Sequence, residues 1–305
     1  MFIRNYFYKT ADLKLDNNSM IISDTKDRRN EYMNEVFYDL YKDEISKFKT
    51  TGKTALIYIG GPGEHHSCSR DYKQIQKGIM PVKSQLGYIA SKTAKRIGNI
   101  SYLSINSNAC ASSMHALYEA EQLLQNGFDD VIIYGEEWVE DIELFLFKQL
   151  NIDIVCSDGF FIIQLGKYGR VDDDSENNHY GAIFNPTFIW NEDRSPFEVT
   201  KEGYLKAMKP FEKSVIHGIK IHGSGTLQNN QAEHEAIEES FGRVWANIKT
   251  IEYKSQIGHC QGCSTGVELC MLIDEIYHKE NQYRKTFLIN ASGLGNFYGS
   301  CLLVV

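Results

Sequence analysis

The sequence predicts an α/β fold with a mixed or parallel sheet. Short apolar runs that suit buried strands alternate with longer segments whose apolar residues recur at helical spacing. The clearest example is the segment 104–135, which has the pattern of a strand, a sharp turn, a helix and a second strand. With 305 residues and 42% hydrophobic content, the chain can bury a sizeable core in one large domain or in two similar halves.

The elements before that segment follow from the same patterns. Residues 1–8 are predicted to form a strand. Residues 28–47 carry apolar side chains at helical spacing, which predicts an amphipathic helix. A buried strand at 55–59 and a short helix at 85–97 complete the N-terminal part.

The elements after it continue the alternation. The apolar run 131–134 predicts a strand that is covered on both faces. A helix at 136–150 and a strand at 160–165 follow. The polar segment 172–179 is predicted to be the loop between two halves, and a short strand at 219–221 leads into a glycine-rich turn.

Cys110 is the reactive residue of the segment 104–135. It falls at the turn into the helix, where unpaired N–H groups and the helix dipole favour a thiolate, the reactive form of cysteine. The small neighbours Ala109, Ala111 and Ser112 leave room for a substrate. Taken alone, this placement fits a catalytic nucleophile and a buried, inert cysteine equally well.

Two histidines of the C-terminal half stand in turns that contain glycine. His222 follows a predicted strand in the segment IKIHGSGT, and His259 lies in the segment KSQIGHCQG. Histidines at strand ends can point into a shared pocket, and one cysteine with two histidines is a workable set for acyl transfer. Each histidine taken alone fits a surface ring or a packed ring, so the set depends on the tertiary structure.

Two segments contain metal-binding residue types but no complete site. The run HHSC at 65–68 has no nearby residue that completes a metal site, so we expect a loop there. Cys260 and Cys263 form a CxxC pair, but no second pair lies at a suitable spacing. The sequence therefore predicts no metal site.

Composition predicts a cytoplasmic protein. The N-terminus lacks the apolar core of a secretory signal, and no apolar run approaches the length of a membrane span. Seven scattered cysteines suit a reducing compartment better than a disulfide framework. The net charge of -8 argues against a generic nucleic-acid or anionic-membrane surface, so neither is an expected partner.

Three segments, in order along the chain, resemble motifs of the elongating β-ketoacyl-acyl-carrier-protein synthases of the thiolase superfamily. NACASSMHAL, around Cys110, is similar to their TACA(S/T)S nucleophile segment. HGSGTLQNNQAE, from His222, is similar to HGTGTPLNDxxE, and KSQIGHCQG, around His259, is similar to KxxxGHxxGAAG. The last segment, NASGLGNFYGSCLLVV, resembles a degraded NSFGFGGTNAxLV, so the resemblance spans most of the chain from residue 55 onwards.

The resemblance implies a thiolase-like fold, in which two similar α/β halves pack in layers, and an obligatory dimer. The halves would cover residues 1–170, with the nucleophile, and 171–305, with both histidines. The chain is shorter than a typical elongating synthase, and its segments before Cys110 and between 137 and 158 are compressed. In the family, those segments help to build the dimer surface and the acyl pocket.

Position by position, the resemblance assigns roles to the matching residues. Cys110 would take an acyl group from a carrier-protein thioester, while His222 and His259 would serve malonyl decarboxylation and stabilise the thioester enolate. The backbone N–H groups of Cys110 and Leu294 would form the oxyanion hole. The supporting polar network and the contacts to the pantetheine arm would come from Lys254, Glu233, Ser224 and Thr226.

The last motif departs most from the family pattern. Leu294 takes the position of the gating phenylalanine, and Asn296 and Phe297 replace glycine and threonine in a loop that normally lies close to the nucleophile. Ser292 and Tyr298 are further replacements. We therefore expect gating and acyl-chain selection to differ from those of the family.

Two functions are compatible with the resemblance. The first is a condensing enzyme, an acyltransferase that joins a Cys110-bound acyl group to malonyl carrier protein in fatty acid, polyketide or polyene biosynthesis. The second is a non-condensing subunit, similar to the chain-length factors that pair with active ketosynthases. Retention of Cys110, His222, His259 and Lys254 favours the first function, whereas the short length favours the second.

The expected partners are an acyl carrier protein and a second ketosynthase-type subunit, in a homodimer or a heterodimer. No cofactor is implied. Because a carrier protein is acidic, its docking patch should be locally basic. Four lysines are candidates for that patch, although a solvated helix face explains them equally well: Lys201, Lys206, Lys209 and Lys213.

Overall fold

The fold was described from a computed structural model of the chain. The structure describes residues 1–305 with the exception of 17, 51, 61–71, 73–74, 79–82, 84, 150–151, 169–178, 193–194, 197, 243–247 and 280–283. The HHSC run at 65–68 and nearly all of the predicted inter-half loop therefore lie outside the described residues.

Strands and helices alternate along the chain, as the sequence predicted. The strands are β1 (Phe2–Thr10), β2 (Leu13–Lys14), β3 (Ser19–Ile21), β4 (Thr54–Ile59), β5 (Ile100–Asn106), β6 (Asp130–Glu137), β7 (Cys156–Ser157), β8 (Gly159–Gly166), β9 (Ala182–Trp190), β10 (Gly218–Lys220), β11 (Lys249–Ile251), β12 (Thr286–Gly293) and β13 (Phe297–Val304). The α-helices are α1 (Met33–Ile45), α2 (Leu86–Ile97), α3 (Ser112–Gln125), α4 (Asp141–Gln149), α5 (Lys201–Met208), α6 (Leu227–Phe241), α7 (Lys254–Ile257) and α8 (Ser264–Lys279).

One large mixed sheet joins strands from the whole chain. Its order is β11-β10-β12-β13-β9-β1-β8-β6-β4-β5, and β2, β3 and β7 form a small separate sheet. In the first half, β5, β4 and β6 are parallel, and β8 and β1 continue antiparallel. In the second half, β11, β10 and β12 are parallel, and β13 and β9 continue antiparallel.

The two halves therefore repeat one strand order and one pattern of directions. Each half contributes five strands to the large sheet, which can be numbered 1 to 5 in chain order. From the outer edge of the sheet towards its middle, the order is 3-2-4-5-1 in both halves. The halves meet where β1 pairs with β9 at Phe2 and Ala182. The predicted α/β fold of two similar halves is confirmed, whereas the boundary at residue 170 stays a prediction.

The helices and the sheet form five layers. Helices α3 and α8 lie between the two halves of the sheet and share one central core with both of them. On β6, Val131 and Ile133 face this central core, whereas Ile132 and Tyr134 face α1 and α2 on the outside. Helices α5 and α6 cover the outer face of the second half. Because both faces of β6 are covered, the strand is apolar on both sides, as its unbroken apolar run predicted.

One predicted boundary was wrong. The sequence predicted a helix from residue 136, but β6 continues through Glu137 and α4 begins at Asp141. The Glu136 carboxylate is buried and accepts hydrogen bonds from the hydroxyls of Tyr58 at 2.7 Å and Tyr134 at 3.3 Å. These bonds satisfy the acid inside the sheet, so the strand extends further than its composition suggests. Within the described part of the chain, no helix is long and apolar enough to cross a lipid bilayer.

Candidate active site

Cys110 lies in the turn between β5 and α3. The turn is tight, with Ala109 at a φ of 47°, and α3 begins at Ser112. The Ser112 hydroxyl accepts from the Asn108 N–H at 2.7 Å and donates to the Ala109 carbonyl at 2.6 Å. These two bonds fix the turn, so Cys110 is held two residues before the first residue of the helix.

The electrostatic state of Cys110 differs from the sequence prediction. Burial raises the pKa of the thiol to about 12; Lys254 opposes this shift, whereas Glu137 and Glu143 add to it. The thiol donates to Gln261 Oε1 at 3.7 Å. Desolvation therefore opposes the thiolate that the helix end was expected to favour.

Hydrogen bonds join the turn that contains His259 to the segment that follows Cys110. The Ser113 hydroxyl donates to the Gly262 carbonyl at 2.5 Å, and the Gly262 N–H donates to Glu137 Oε1 at 3.3 Å. A Cβ added at Gly262 would lie 3.3 Å from the Ala109 carbonyl oxygen. The glycine therefore permits the close approach that brings the two turns together.

His222 and His259 lie side by side in the interior. Their ring centroids are 5.9 Å apart, and both side chains are buried. His259 Nδ1 accepts the N–H of Gln261 at 3.0 Å, which places the imidazole proton on Nε2. Among the described residues, neither this Nε2 nor Nδ1 of His222 has a hydrogen-bond partner. Since buried polar atoms are normally paired, these nitrogens are available to a bound substrate.

Both imidazoles are held in the neutral form. Burial, followed by the nearby Lys254 ammonium, lowers the pKa of His259 to about 3. The same two causes, with His259 and Lys220 as further contributors, place the pKa of His222 well below its ordinary value. A neutral imidazole carries one proton that it can donate and one lone pair that can accept a proton.

Lys254 and Glu233 hold the His222 peptide from opposite sides. Lys254 Nζ donates to the His222 carbonyl at 2.5 Å, and Glu233 accepts from the N–H groups of His222 at 2.7 Å and Gly223 at 3.1 Å. The carboxylate that pairs with Lys254 is Glu268, at 2.6 Å. Glu268 was not predicted from the sequence, although a lone glutamate inside the apolar run VELCMLI is a signal of a paired, buried acid.

The other predicted residues surround this centre. Ser224 and Thr226 follow His222 in its loop, are partly buried, and have their hydroxyl oxygens 3.0 Å apart. Leu294 lies in the turn between β12 and β13, and half of its surface is exposed. The preceding Gly293 would, with a Cβ, come within 2.6 Å of the Asn108 carbonyl, so this turn lies against the Cys110 turn. The oxyanion and pantetheine roles stay predictions.

Asn296 and Phe297, the larger residues of the last motif, fit without displacing the turn between β12 and β13. Asn296 has a φ of 67°, a left-handed conformation that asparagine tolerates better than most residues. The Phe297 ring stacks on Phe188 at 5.7 Å, and Phe188 stacks on His115 at 4.3 Å. The Phe297 replacement therefore extends a row of stacked rings beside the site. The turn at Gly293 stays in contact with the Cys110 segment.

Replacing Gly293 by alanine should separate the β12–β13 turn from the nucleophile. The added methyl would also approach the Ala111 nitrogen to 2.8 Å, so backbone has to move. We expect a stability loss of about 1–3 kcal/mol in thermal unfolding and slower modification of Cys110 by an acyl thioester. Gly87→Ala is the matched control, because a Cβ at Gly87 meets none of the described residues within 4 Å. Equal behaviour of the two variants would contradict the contact.

Neither the metal hypothesis nor the lysine patch gains support from the described residues. No group of three or more histidine, cysteine, aspartate or glutamate side chains described here could hold a metal ion. Three of the four lysines pair with carboxylates: Lys201 with Glu239 at 2.9 Å, Lys206 with Glu202 at 3.7 Å and Lys209 with Glu212 at 3.2 Å. These pairs are typical of a solvated face, so carrier docking there stays a prediction.

Known proteins resemble this chain in two ways: a family model matches part of the second half, and solved structures share the fold. Residues 201–281 match the family model of the β-ketoacyl synthase C-terminal domain. No curated protein matches the chain by sequence. The solved structures with similar folds include the ishigamide ketosynthase/chain length factor, with a TM-score of 0.69 and 16% identity over 83% of this chain and 75% of that one.

Two further structures are similar. The AntDE:AntF complex, a type II polyketide synthase acyl carrier protein with its ketosynthase bound to the hexaketide, gives a TM-score of 0.72 and 16% identity over 97% of this chain and 91% of that one. The ketosynthase from module 6 of the bacillaene synthase of Bacillus subtilis 168 gives 0.67 and 14% over 89% of this chain. This chain covers 58% of that ketosynthase.

The chain therefore has the fold of the ketosynthases. More particularly, residues 201–281 are similar to the C-terminal domain of the β-ketoacyl synthases, which confirms the resemblance seen in the motifs around His222 and His259.

Proposed function

We propose that the protein is a condensing enzyme of the β-ketoacyl synthase type, acting in fatty acid, polyketide or polyene assembly. The observation that carries this proposal is the pair of buried, neutral histidines whose turn is bonded to the Cys110 turn, each with a ring nitrogen that has no hydrogen-bond partner in the described part of the chain. Such a pair supplies a proton acceptor and a hydrogen-bond donor next to a nucleophile.

The first step is transfer of an acyl group to Cys110. Because the resting group is a thiol, its attack on a carrier-protein thioester needs a base, and a neutral imidazole of the histidine pair takes the proton. The new bond joins Sγ to the acyl carbon, and the carrier's pantetheine sulfur leaves with the proton. The hydroxyls of Ser224 and Thr226 would contact the pantetheine arm.

The second step is decarboxylative condensation. The malonyl thioester carbonyl accepts a hydrogen bond from His259 Nε2–H, so the enolate that forms as carbon dioxide leaves is stabilised. The enolate carbon attacks the acyl group on Cys110, and the Cys110 sulfur leaves. The backbone N–H groups of Cys110 and Leu294 would stabilise the oxyanion in both steps.

An assay with acyl-loaded and malonyl-loaded carrier protein tests this function. The purified protein should convert them into a β-ketoacyl carrier protein that is heavier than the acyl carrier protein by one two-carbon ketide unit. The same mixture is repeated with any ketosynthase that co-purifies. No product under either condition would contradict the proposal.

A non-condensing role, similar to that of a chain-length factor, is the second candidate. Two observations favour it: burial holds Cys110 as a thiol, and the β12–β13 turn departs from the family motif. In that case product would form only with a partner ketosynthase, and its yield would not depend on Cys110. The partner assay with the Cys110→Ala variant distinguishes the two candidates.

The edge strand β5 is the proposed site of subunit pairing. It is the last strand of the large sheet, and Tyr102, Leu103 and Ile105 on it are 37–41% exposed. An exposed apolar edge strand is a template for pairing with another chain. We propose that a second copy or a related ketosynthase subunit continues the sheet here, and that the assembly is cytoplasmic.

Replacing Leu103 by lysine should convert the dimer into monomers. A charge on an edge strand opposes pairing, and a lysine buried unpaired in an interface is costly. We expect the dissociation constant to rise at least about 100-fold, measured by light scattering during size-exclusion chromatography. The control is Leu15→Lys, since Leu15 is 52% exposed outside the large sheet. A Leu103→Lys variant that stays dimeric would rule out this interface.

A further inference from the structure

Lys220 is a buried charge that the proposed reaction does not use. It is the last residue of β10, two positions before His222, and its side chain is fully buried. Its ammonium forms an ion pair with Glu268 and donates to the Asn290 carbonyl at 3.4 Å. A lysine is rarely buried completely unless it is paired, so these contacts account for its position.

Through Glu268, Lys220 is linked to the carbonyl side of the His222 peptide. Glu268 lies between two ammonium groups, because its other oxygen accepts from Lys254 at 2.6 Å. Lys254 in turn donates to the His222 carbonyl at 2.5 Å. All three side chains of this Lys–Glu–Lys row are nearly inaccessible to solvent.

Through Asn290, Lys220 is linked to the N–H side of the same peptide. The Asn290 side-chain amide donates to Glu233 at 3.2 Å, and Glu233 accepts from the His222 N–H at 2.7 Å. The contacts from the two sides therefore close a ring that starts and ends at His222. Lys220 is the member of the ring that joins the two sides.

We propose that Lys220 is a positioning residue that closes this buried ring and holds His222 opposite His259 in its neutral form. The inference rests on the proposed function of the same site. The ring has two ammonium groups, Lys220 and Lys254, and two carboxylates, Glu233 and Glu268, so the charge around His222 is balanced.

Removing the Lys220 ammonium would leave one carboxylate in excess beside the histidines. A neighbouring negative charge favours the imidazolium form, so the pKa of His222 should rise, in agreement with the direction in which Lys220 acts on it now. The titratable and charged groups that surround the two rings are Lys220, Lys254, Glu233 and Glu268 in the ring, and Cys110 and Glu137 beside the His259 turn.

Nitrogen-15 NMR of the imidazoles in the full chain tests the inference without reference to catalysis. The titration extends to the lowest pH at which each protein stays folded, and in the wild type both rings should stay neutral at least down to pH 5. In Lys220→Met, at least one ring should become protonated at a pH higher by about one unit or more, a tenfold change in proton affinity. The matched control is Lys249→Met, the same change at an exposed lysine on the neighbouring strand β11. Unchanged titration in Lys220→Met would overturn the proposal.

Activity provides the second readout. In the proposed first step His222 takes the Cys110 proton, so Lys220→Met should acylate Cys110 at least about tenfold more slowly than the wild type, whereas Lys249→Met should keep the wild-type rate. If Lys220→Met does not fold, Lys220→Arg, which keeps the charge, should fold and keep the wild-type histidine titration; an altered titration there would also overturn the proposal. If the wild type is inactive while the titration shift is present, the proposed function fails and the role of Lys220 in the ring stands.

Discussion

Cys110→Ala should abolish formation of the acyl-enzyme. Incubation of the wild type with acyl carrier protein should add the mass of the acyl group to the intact protein, and the variant should show no such gain. We expect the rate of acylation to fall at least about a thousandfold, because the nucleophile itself is removed. Intact-mass spectrometry over a time course measures both quantities.

Cys156→Ala is the matched control for this experiment. Cys156 is a buried thiol nearby, whereas Cys110 is partly buried, and the Cys156 side chain contacts Gln261, the residue that accepts from Cys110. The control should acylate at the wild-type rate. Mass gain that persists in Cys110→Ala and disappears in Cys156→Ala would mean that the nucleophile has been assigned to the wrong cysteine.

His259→Ala should separate the two chemical steps. The variant loses the buried Nε2–H that we assign to the malonyl carbonyl, so condensation should fall about 100- to 1,000-fold, as expected when one donor to a developing oxyanion is lost. Acylation of Cys110 should continue, since His222 can still accept the thiol proton. The two rates are read from intact protein mass and from β-ketoacyl product, respectively.

The fold around His259 should survive this substitution. The backbone of His259 bonds to Val155 at 2.7 Å and to Ser157 at 3.0 Å, and neither bond involves the imidazole. His234→Ala, an exposed histidine on α6, is the control and should retain both activities. Loss of acylation in His259→Ala, with the fold intact, would show that His259 acts in the first step.

The sequence predicted the buried elements well because their patterns are local. The unbroken apolar run of β6 and the helical spacing of α3 each identify an element without knowledge of its neighbours. Strand β9 was not predicted, since Asn185 and Pro186 in its middle are typical of a turn. Asn185 has a φ of 49°, and the pairing with β13 shifts in register there, so the strand continues past a bulge that only tertiary pairing stabilises.

The sequence predicted those site residues whose side chains have a characteristic reactivity, the cysteine and the two histidines. Cys110, His222 and His259 stand in recognisable motifs, and the structure brings their turns together. Glu268 and Lys220 were missed because their importance comes from contacts between distant segments. The raised pKa of Cys110 was not predicted for the same reason: a helix end is visible in sequence, but the desolvation of the thiol depends on the tertiary structure.

The central core couples the stability of the two halves. Helix α3 comes from the first half and packs on β9 of the second, while α8 comes from the second half and packs on β8 and β1 of the first. Each half alone would expose the apolar face of its own central helix, which is costly for residues such as Met114 and Leu272. We therefore expect the two halves to unfold together, so that a variant that unfolds either half also disrupts the site, which both halves build.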